Sequence, residues 1–378
     1  MRITLLSVLG YILVPQQMLA QTDSIAGTHE LKNVVVKATN GIKSRVRVDN
    51  AEIIGQGQLI RAACCNLGES FTANPSVDVS YSDAATGAKQ IKLLGLNGTY
   101  VQMLTENIPN LRGASLPYSL GYVPGPWMQS IQVSKGASSV KNGYESTTGQ
   151  INIEFLKPQG TDGVRANAYQ DSELKTEVNL DGSKHLTDRL STATLLHFEN
   201  RQTDHDGNGD GFMDMAKLRQ YNLMHRWAYV SPRWISQLML RGLHDEREGG
   251  QSRKHAASAS PDALYSTSVR TNRYEMQWKN GFTLNADHNT SIALMLHGSW
   301  HDADNIFGTT RYDVTQKNGY AQLMFETDIN ERHNISVGAS LNHDRYDERF
   351  NPSGTLPDAE SKATKETTPG LYAQYTYK

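Results

Sequence analysis

Arg273-Tyr274-Glu275-Met276-Gln277-Trp278-Lys279-Asn280-Gly281-Phe282 alternates with period two. Tyr274, Met276, Trp278 and Phe282 fall on one face, and Arg273, Glu275, Gln277 and Lys279 fall on the other. Period two is strand geometry, because successive side chains point to opposite faces. The pattern recurs. Ile292, Leu294, Leu296 and Trp300 oppose Ser291, Ala293, His297 and His301. Ile335, Val337, Ala339 and Leu341 oppose Ser336, Gly338, Ser340 and Asn342, and Tyr221, Leu223, Trp227 and Tyr229 alternate around Asn222, Met224 and Arg226. A soluble sandwich turns its polar face outward. An apolar face opposite a charged one on successive strands fits a barrel with lipid outside and water inside. About ten such strands, each of about ten residues, are expected beyond Pro158.

The connections agree. Short polar turns at Ser183–Arg189, Ser231-Pro232-Arg233 and Asn330–Asn334 alternate with long loops at about 200–217, 247–266 and 347–368. Short turns on one rim and long loops on the other are the outer-membrane arrangement. Trp227, Tyr229, Trp234 and Trp300 sit near strand ends, where interfacial aromatic girdles belong.

Upstream, residues 50–158 have a mixed texture. Gln58–Leu67 reads as a short helix, and Gly68-Glu69-Ser70-Phe71 leads into a turn at Asn74-Pro75. Strands are expected at Ile91–Leu94, Tyr100–Leu104, Ile131–Val133 and Gln150–Phe155, punctuated by Gly and Pro. This is a compact domain with irregular loops.

Composition excludes several classes. The 37 basic and 39 acidic residues leave a net charge of -2, which carries no nucleic-acid footprint. A mean hydropathy of -0.53 is too polar for a helical membrane protein, and 17 Tyr with 31 Gly are unlike a disordered chain.

The one continuous apolar run, Ile3–Val14, follows Arg2 and precedes Met18-Leu19-Ala20. It is too short to span a bilayer and reads as a secretory signal cut after Ala20. A polar stretch, 21–30, then leads to a β-branched run from Leu31 to Thr39, which needs a partner strand and suits recognition by strand addition.

Cys64 and Cys65 are adjacent. They read as small buried residues, with a vicinal disulfide or soft metal ligation as alternatives.

The strongest chemical signal is Asp204-His205-Asp206-Gly207-Asn208-Gly209-Asp210-Gly211-Phe212-Met213-Asp214. Asp204, Asp206, Asn208, Asp210 and Asp214 offer hard oxygens with glycines between them, which suits calcium over softer metals. Lys217 or Met215 falls where a helix-loop-helix site needs an acid, so an irregular loop site is expected. Clustered carboxylates repel, so the loop is expected to be mobile without the ion. His297 and His301 share a lumen-facing parity but lie too far apart along one strand for easy shared ligation. Asn97-Gly98-Thr99 reads as a turn. No arrangement of nucleophile, base and acid stands out, so no enzyme activity is expected.

The run Met128-Gln129-Ser130-Ile131-Gln132-Val133-Ser134-Lys135-Gly136-Ala137-Ser138-Ser139-Val140, through Gly143-Tyr144-Glu145 to Gly149-Gln150-Ile151-Asn152-Ile153, resembles the closing motif of TonB-dependent receptor plugs. Ile91-Lys92-Leu93-Leu94-Gly95-Leu96, Val101–Leu104 and Glu106-Asn107-Ile108-Pro109 resemble the family's earlier plug motif, with Leu94 where an Arg is usual. Val34, Val35, Val36, Lys37 and Ala38 resemble its TonB box. The resemblance covers residues 31–157 by motif and the remainder by texture. It implies an α+β plug domain followed by an antiparallel transmembrane β-barrel in the outer membrane of a Gram-negative bacterium. Such a receptor takes up a scarce ligand, such as cobalamin, siderophore-iron or haem, and is driven by TonB with its inner-membrane energising complex. Calcium-ordered Asp-rich loops in cobalamin importers of the family give a weak hint of cargo. The expected layout is a signal peptide at 1–20, TonB box and linker at 21–49, plug at 50–158 and the first part of the barrel at 159–378. Such barrels have about 22 strands, so the sequence is expected to be truncated or one piece of a split gene. The alternative expectation is a non-transporting outer-membrane barrel fragment.

Overall fold

The computed structural model describes residues 51–61, 65–72, 74, 77–136, 140–160, 162–253, 264–354 and 359–377, all within one compact unit. The signal segment, the 34–38 box and Cys64 lie outside the described residues.

The N-terminal domain is built on a five-stranded sheet and a three-stranded one. The larger sheet uses β1 (Ala51–Gly55), β5 (Val101–Thr105), β6 (Ile108–Pro109), β7 (Met128–Lys135) and β8 (Gly149–Phe155), in the order β1-β7-β8-β5-β6. Within it, β5 and β8 are parallel and the other pairings antiparallel. The smaller sheet joins β2 (Val77–Asp83), β3 (Ala88–Leu93) and β4 (Leu96–Asn97). Ile131, Val133, Ile151 and Ile153 alternate into a core closed by Trp127, Tyr122, Phe71 and Phe155, all with at most 2 % exposure. Each such side chain contributes about 1.5–3 kcal/mol by leaving water. Central strands β5 and β8 are covered on both sides, so their polar side chains pair with one another. Gln150 donates to Gln102, which donates to the Asn142 carbonyl, and Asn142 donates back to Gln150.

Local expectations hold in part. The expected helix over 58–67 is a shorter α1, Gln56–Arg61, followed by a bend at Cys65 and a single 3₁₀ turn at Glu69–Phe71. The Glu69 carboxylate accepts the Cys65 N–H and the Asn66 side-chain amide, which favours the bend over another helical turn. Leu94 does not extend the strand before it. It turns the chain at φ +55 and stays exposed.

The C-terminal part is one sheet of ten antiparallel strands in chain order. They are β9 (Gly163–Gln170), β10 (Thr176–His185), β11 (Leu190–Arg201), β12 (Lys217–Val230), β13 (Trp234–Gly250), β14 (Ser266–Asn285), β15 (Thr290–Phe307), β16 (Thr310–Asp328), β17 (His333–Asn351) and β18 (Glu360–Tyr377). The sheet is open, with β9 and β18 as its edges among the described residues. The expected parity is present: Tyr274, Met276, Trp278 and Phe282 are exposed, and Arg273, Glu275 and Gln277 are buried. Strands β13 to β18 run 17–20 residues rather than the expected ten. Their extra length consumes the expected loops, so β13 continues to Gly250, and β17 and β18 leave only 352–359 between them. On the same rim, β15 and β16 join through Gly308-Thr309 alone. Cross-strand pairing satisfies the additional N–H and C=O groups of β13 to β17, which polarity alone does not reveal.

The outward face carries two aromatic tiers. Near the short turns, Tyr229, Trp234 and Phe282 form a row with ring separations of 4.8 and 5.9 Å. Higher up, Phe198 meets Tyr221 at 5.2 Å and Tyr274 stacks on Trp300 at 5.5 Å. Eight residues of β14 separate Phe282 from Tyr274. That is about 26 Å along a strand, or about 20 Å along a membrane normal at the usual tilt, close to the height of a lipid-facing band.

Candidate functional site: the seam between domain and sheet

The N-terminal domain sits against the inward face of the sheet, and their contact combines buried ion pairs with apolar packing of Leu195, Met224, Met239 and Leu243 onto the domain core. Amide side chains from β12 and β14 donate to oxygens of the domain. Asn222 reaches the Tyr122 carbonyl at 2.8 Å, Gln220 the Gly121 carbonyl at 3.1 Å, and Gln277 the Thr105 hydroxyl at 2.7 Å. Arg241 also donates to the Tyr122 carbonyl and lies over the Trp127 ring, 5.8 Å from its centre. Glu275 accepts Arg273 at 2.7 Å and Arg241 at 3.2 Å, and Arg273 reaches Asn110 at 2.7 Å.

Towards the short turns, Glu106 of the domain meets Arg226 of β12, Lys279 of β14 and Lys157 of the connecting segment. Burial opposes the charge on Glu106, but Arg226, then Lys157 and Lys279, outweigh it and hold the carboxyl well below its ordinary range.

Towards the long loops, Arg112 is gripped by Glu145 of the domain and Asp344 of β17, and Asp344 also accepts Gln316 at 2.9 Å. Burial opposes the Arg112 charge, yet the two carboxylates raise its pKa further. Beside it, the 3₁₀ stretch Gly113–Tyr118 forms the domain's upper surface. Gly113 (φ +64) leaves no room for a Cβ beside the Tyr346 hydroxyl and Gln316. Arg247 lies 5.0 Å over the Tyr118 ring and pairs with Asp245 at 2.7 Å. These contacts hold the 3₁₀ stretch against β13, β16 and β17.

The loop from Asp204 to Asp214 lies on that rim, and its carboxylates are occupied locally. Asp206 accepts the N–H groups of Gly209, Asp210 and Gly211 at 2.8–3.2 Å, Asp210 accepts Phe212, and Asp214 accepts Gly207. Asp204 accepts the Ser252 hydroxyl at 2.6 Å, and Asn208 donates to Asp210. Among the described residues no three His, Cys, Asp or Glu side chains meet as a metal-ion group. The oxygens match calcium in chemistry, but they are arranged as acceptors of the loop's own N–H groups.

His297 and His301 are both buried on the seam face, with Tyr122 6.3 Å from the His301 ring. Cys65 is buried, and burial pushes its thiol up, away from the thiolate that metals or disulfide exchange require. Its neighbour Cys64 and the Val34–Ala38 segment lie outside the described residues. Sequence reasoning missed Glu106 and Arg112. The signal for Glu106 was Glu-Asn at a two-residue turn where Asn-Gly or Asp-Gly is favoured. Arg112 carried no local signal.

No family model and no curated protein matches the sequence. Solved structures do match. The ferric yersiniabactin uptake receptor FyuA from Yersinia pestis is 12 % identical, with a TM-score of 0.56 over 86 % of this chain and 61 % of that one. The copper transporter OprC is 12 % identical, with a TM-score of 0.68 over 86 % and 51 %. The ferripyoverdine receptor of the outer membrane of Pseudomonas aeruginosa is 11 % identical, with a TM-score of 0.65 over 86 % and 49 %. All three are receptors or transporters rather than enzymes. The likeness is one of fold, and this chain spans about half to three-fifths of their length.

Proposed function

We propose that this chain supplies the plug and the first part of the barrel wall of a TonB-dependent outer-membrane receptor that takes up a scarce metal chelate. The observation that carries the reading is the inverted sheet: its outward face is apolar, and its inward face, rich in buried polar side chains, holds the N-terminal domain. A soluble protein has no use for that polarity, whereas a wide barrel in lipid needs both an apolar exterior and an obstruction in its lumen. Siderophore-iron, haem, cobalamin or another metal complex is the proposed cargo class, because matched structures of the same fold carry ferric siderophores or copper. The long-loop rim would face the cell exterior and the Val34–Ala38 segment the periplasm, where TonB would add a strand to it.

The test uses the full-length polypeptide in its native outer membrane. Val35→Pro removes a backbone donor from the added strand, so energised uptake is expected to cease while ligand binding persists. Uptake that survives the proline rules out this box.

A second reading is a non-transporting wall fragment of an outer-membrane barrel. Purified outer membranes decide between them: the first reading expects cargo binding and uptake, the second an inserted sheet that binds nothing.

A further inference from the structure

Glu106 is 1 % exposed, yet three cations reach it: the Arg226 guanidinium at 2.6 Å, the Lys157 ammonium at 2.6 Å and the Lys279 ammonium at 2.7 Å. They come from three separate elements, namely β12, the segment after β8, and β14. The backbone beneath is unusual as well. Glu106 and Asn107 have φ of +52 and +66, forming the tight turn between β5 and β6. Asn tolerates that conformation, but Glu has no local reason to adopt it. Strain of this kind persists where the surroundings over-determine it. Here the turn aims the carboxylate at the wall, while the Glu106 N–H bonds the Ile153 carbonyl and the Asn107 N–H bonds the Asn152 side chain.

The other seam contacts differ in kind. Glu275 neutralises Arg241 and Arg273 from within the wall, and the domain adds only a carbonyl and an amide. Those charges would stay paired if the domain moved away. Lys141 meets Glu326 at 3.3 Å where the carboxylate is 31 % exposed and water can replace it. Only at Glu106, among the described residues, do wall cations depend on a domain carboxylate at a fully buried site.

We propose that Glu106 is the positioning residue that clasps the plug: one carboxylate fixes the β5–β6 edge to β12 and β14 and ties down the segment that leads into the wall. The proposal rests on the plug reading of the domain, but not on the cargo or on uptake taking place.

Hydrogen exchange on the full chain in its native membrane or in detergent tests the clasp. In Glu106→Gln, exchange in 101–109 and 153–158 is expected to rise about tenfold or more, with β15 and β16 unchanged. Lys279→Gln leaves two cations on the carboxylate and is expected to raise the same segments about threefold, which keeps the test available if Glu106→Gln does not accumulate. Lys141→Gln is expected to leave them unmoved. The double variant Glu106→Gln with Lys279→Gln is expected to exchange no faster than Glu106→Gln alone, since the second partner is already lost. Unchanged exchange in 101–109, or an equal rise across the wall, overturns the clasp. Wild-type chain that drives no uptake but shows this exchange pattern refutes the transport reading and leaves the clasp standing. Uptake with no exchange response does the reverse.

Discussion

Gly149 and Glu106 show how single residues are held to tertiary demands. A Cβ at Gly149 would run into the Ser134 carbonyl and the Leu93 side chain, at a φ of +156. Gly149→Ala is therefore expected to cost at least about 1–3 kcal/mol, read as a lower denaturant midpoint for loss of the plug's near-UV dichroism. Glu106 is the opposite case, a residue whose value depends on charge. Removing its carboxylate leaves three cations around a buried site, a loss of about 3–5 kcal/mol by analogy with broken buried pairs. Its pH dependence follows from the depressed folded pKa. The contribution is complete above the unfolded carboxyl value of about 4.3 and is lost as pH falls from there towards the folded value. Plug protection factors, with the intrinsic pH dependence of amide exchange divided out, are expected to fall only at the acidic end between pH 7 and 3, and that fall is expected to disappear in Glu106→Gln.

At the scale of elements, β14 separates two environments across one strand. Met276 faces outward and is 43 % exposed, whereas Gln277 faces the seam and is 1 % exposed. Met276→Arg places a charge within the apolar band and is expected to destabilise the inserted wall by about 2–4 kcal/mol, read by refolding into lipid bilayers. The same substitution in detergent-free buffer would cost little if the outward face met water, so the comparison tests the polarity itself. The 204–214 loop makes a different point. Its carboxylates offset their mutual repulsion by accepting the loop's own N–H groups. Calcium, which we propose for this loop on donor chemistry, must displace those N–H donors from Asp206. Weak binding is the expected calorimetric result, abolished by Asp206→Asn with Asp210→Asn. An absence of heat with the unaltered chain removes calcium from the description.

At the scale of the whole molecule, a ten-stranded open sheet and a folded domain share buried ion pairs and one apolar core. Outer-membrane fractionation of the expressed chain tests the arrangement directly. It is expected to resist extraction by carbonate and to protect 160–377 better than the plug from added protease. Recovery as a soluble protein would contradict the lipid-facing assignment.

Period-two alternation was determined by the sequence alone, because a strand's side-chain parity is a covalent property of the chain. Tyr274, Met276 and Trp278 against Arg273, Glu275 and Gln277 implied an apolar outward face and a water-facing one, whereas the second face is buried against the domain. The order of a mixed domain before a strand-rich wall was legible for the same reason. Strand length was not, since β13 to β18 extend through polar residues whose backbone bonds depend on a neighbouring strand. Nor was the site at Glu106 legible, where residues 106, 157, 226 and 279 converge from distant parts of the chain. Local sequence encodes which face a side chain occupies, but not which charge it meets there. Only the packing of the domain into the wall decided that, because a buried carboxylate stays charged only where cations surround it.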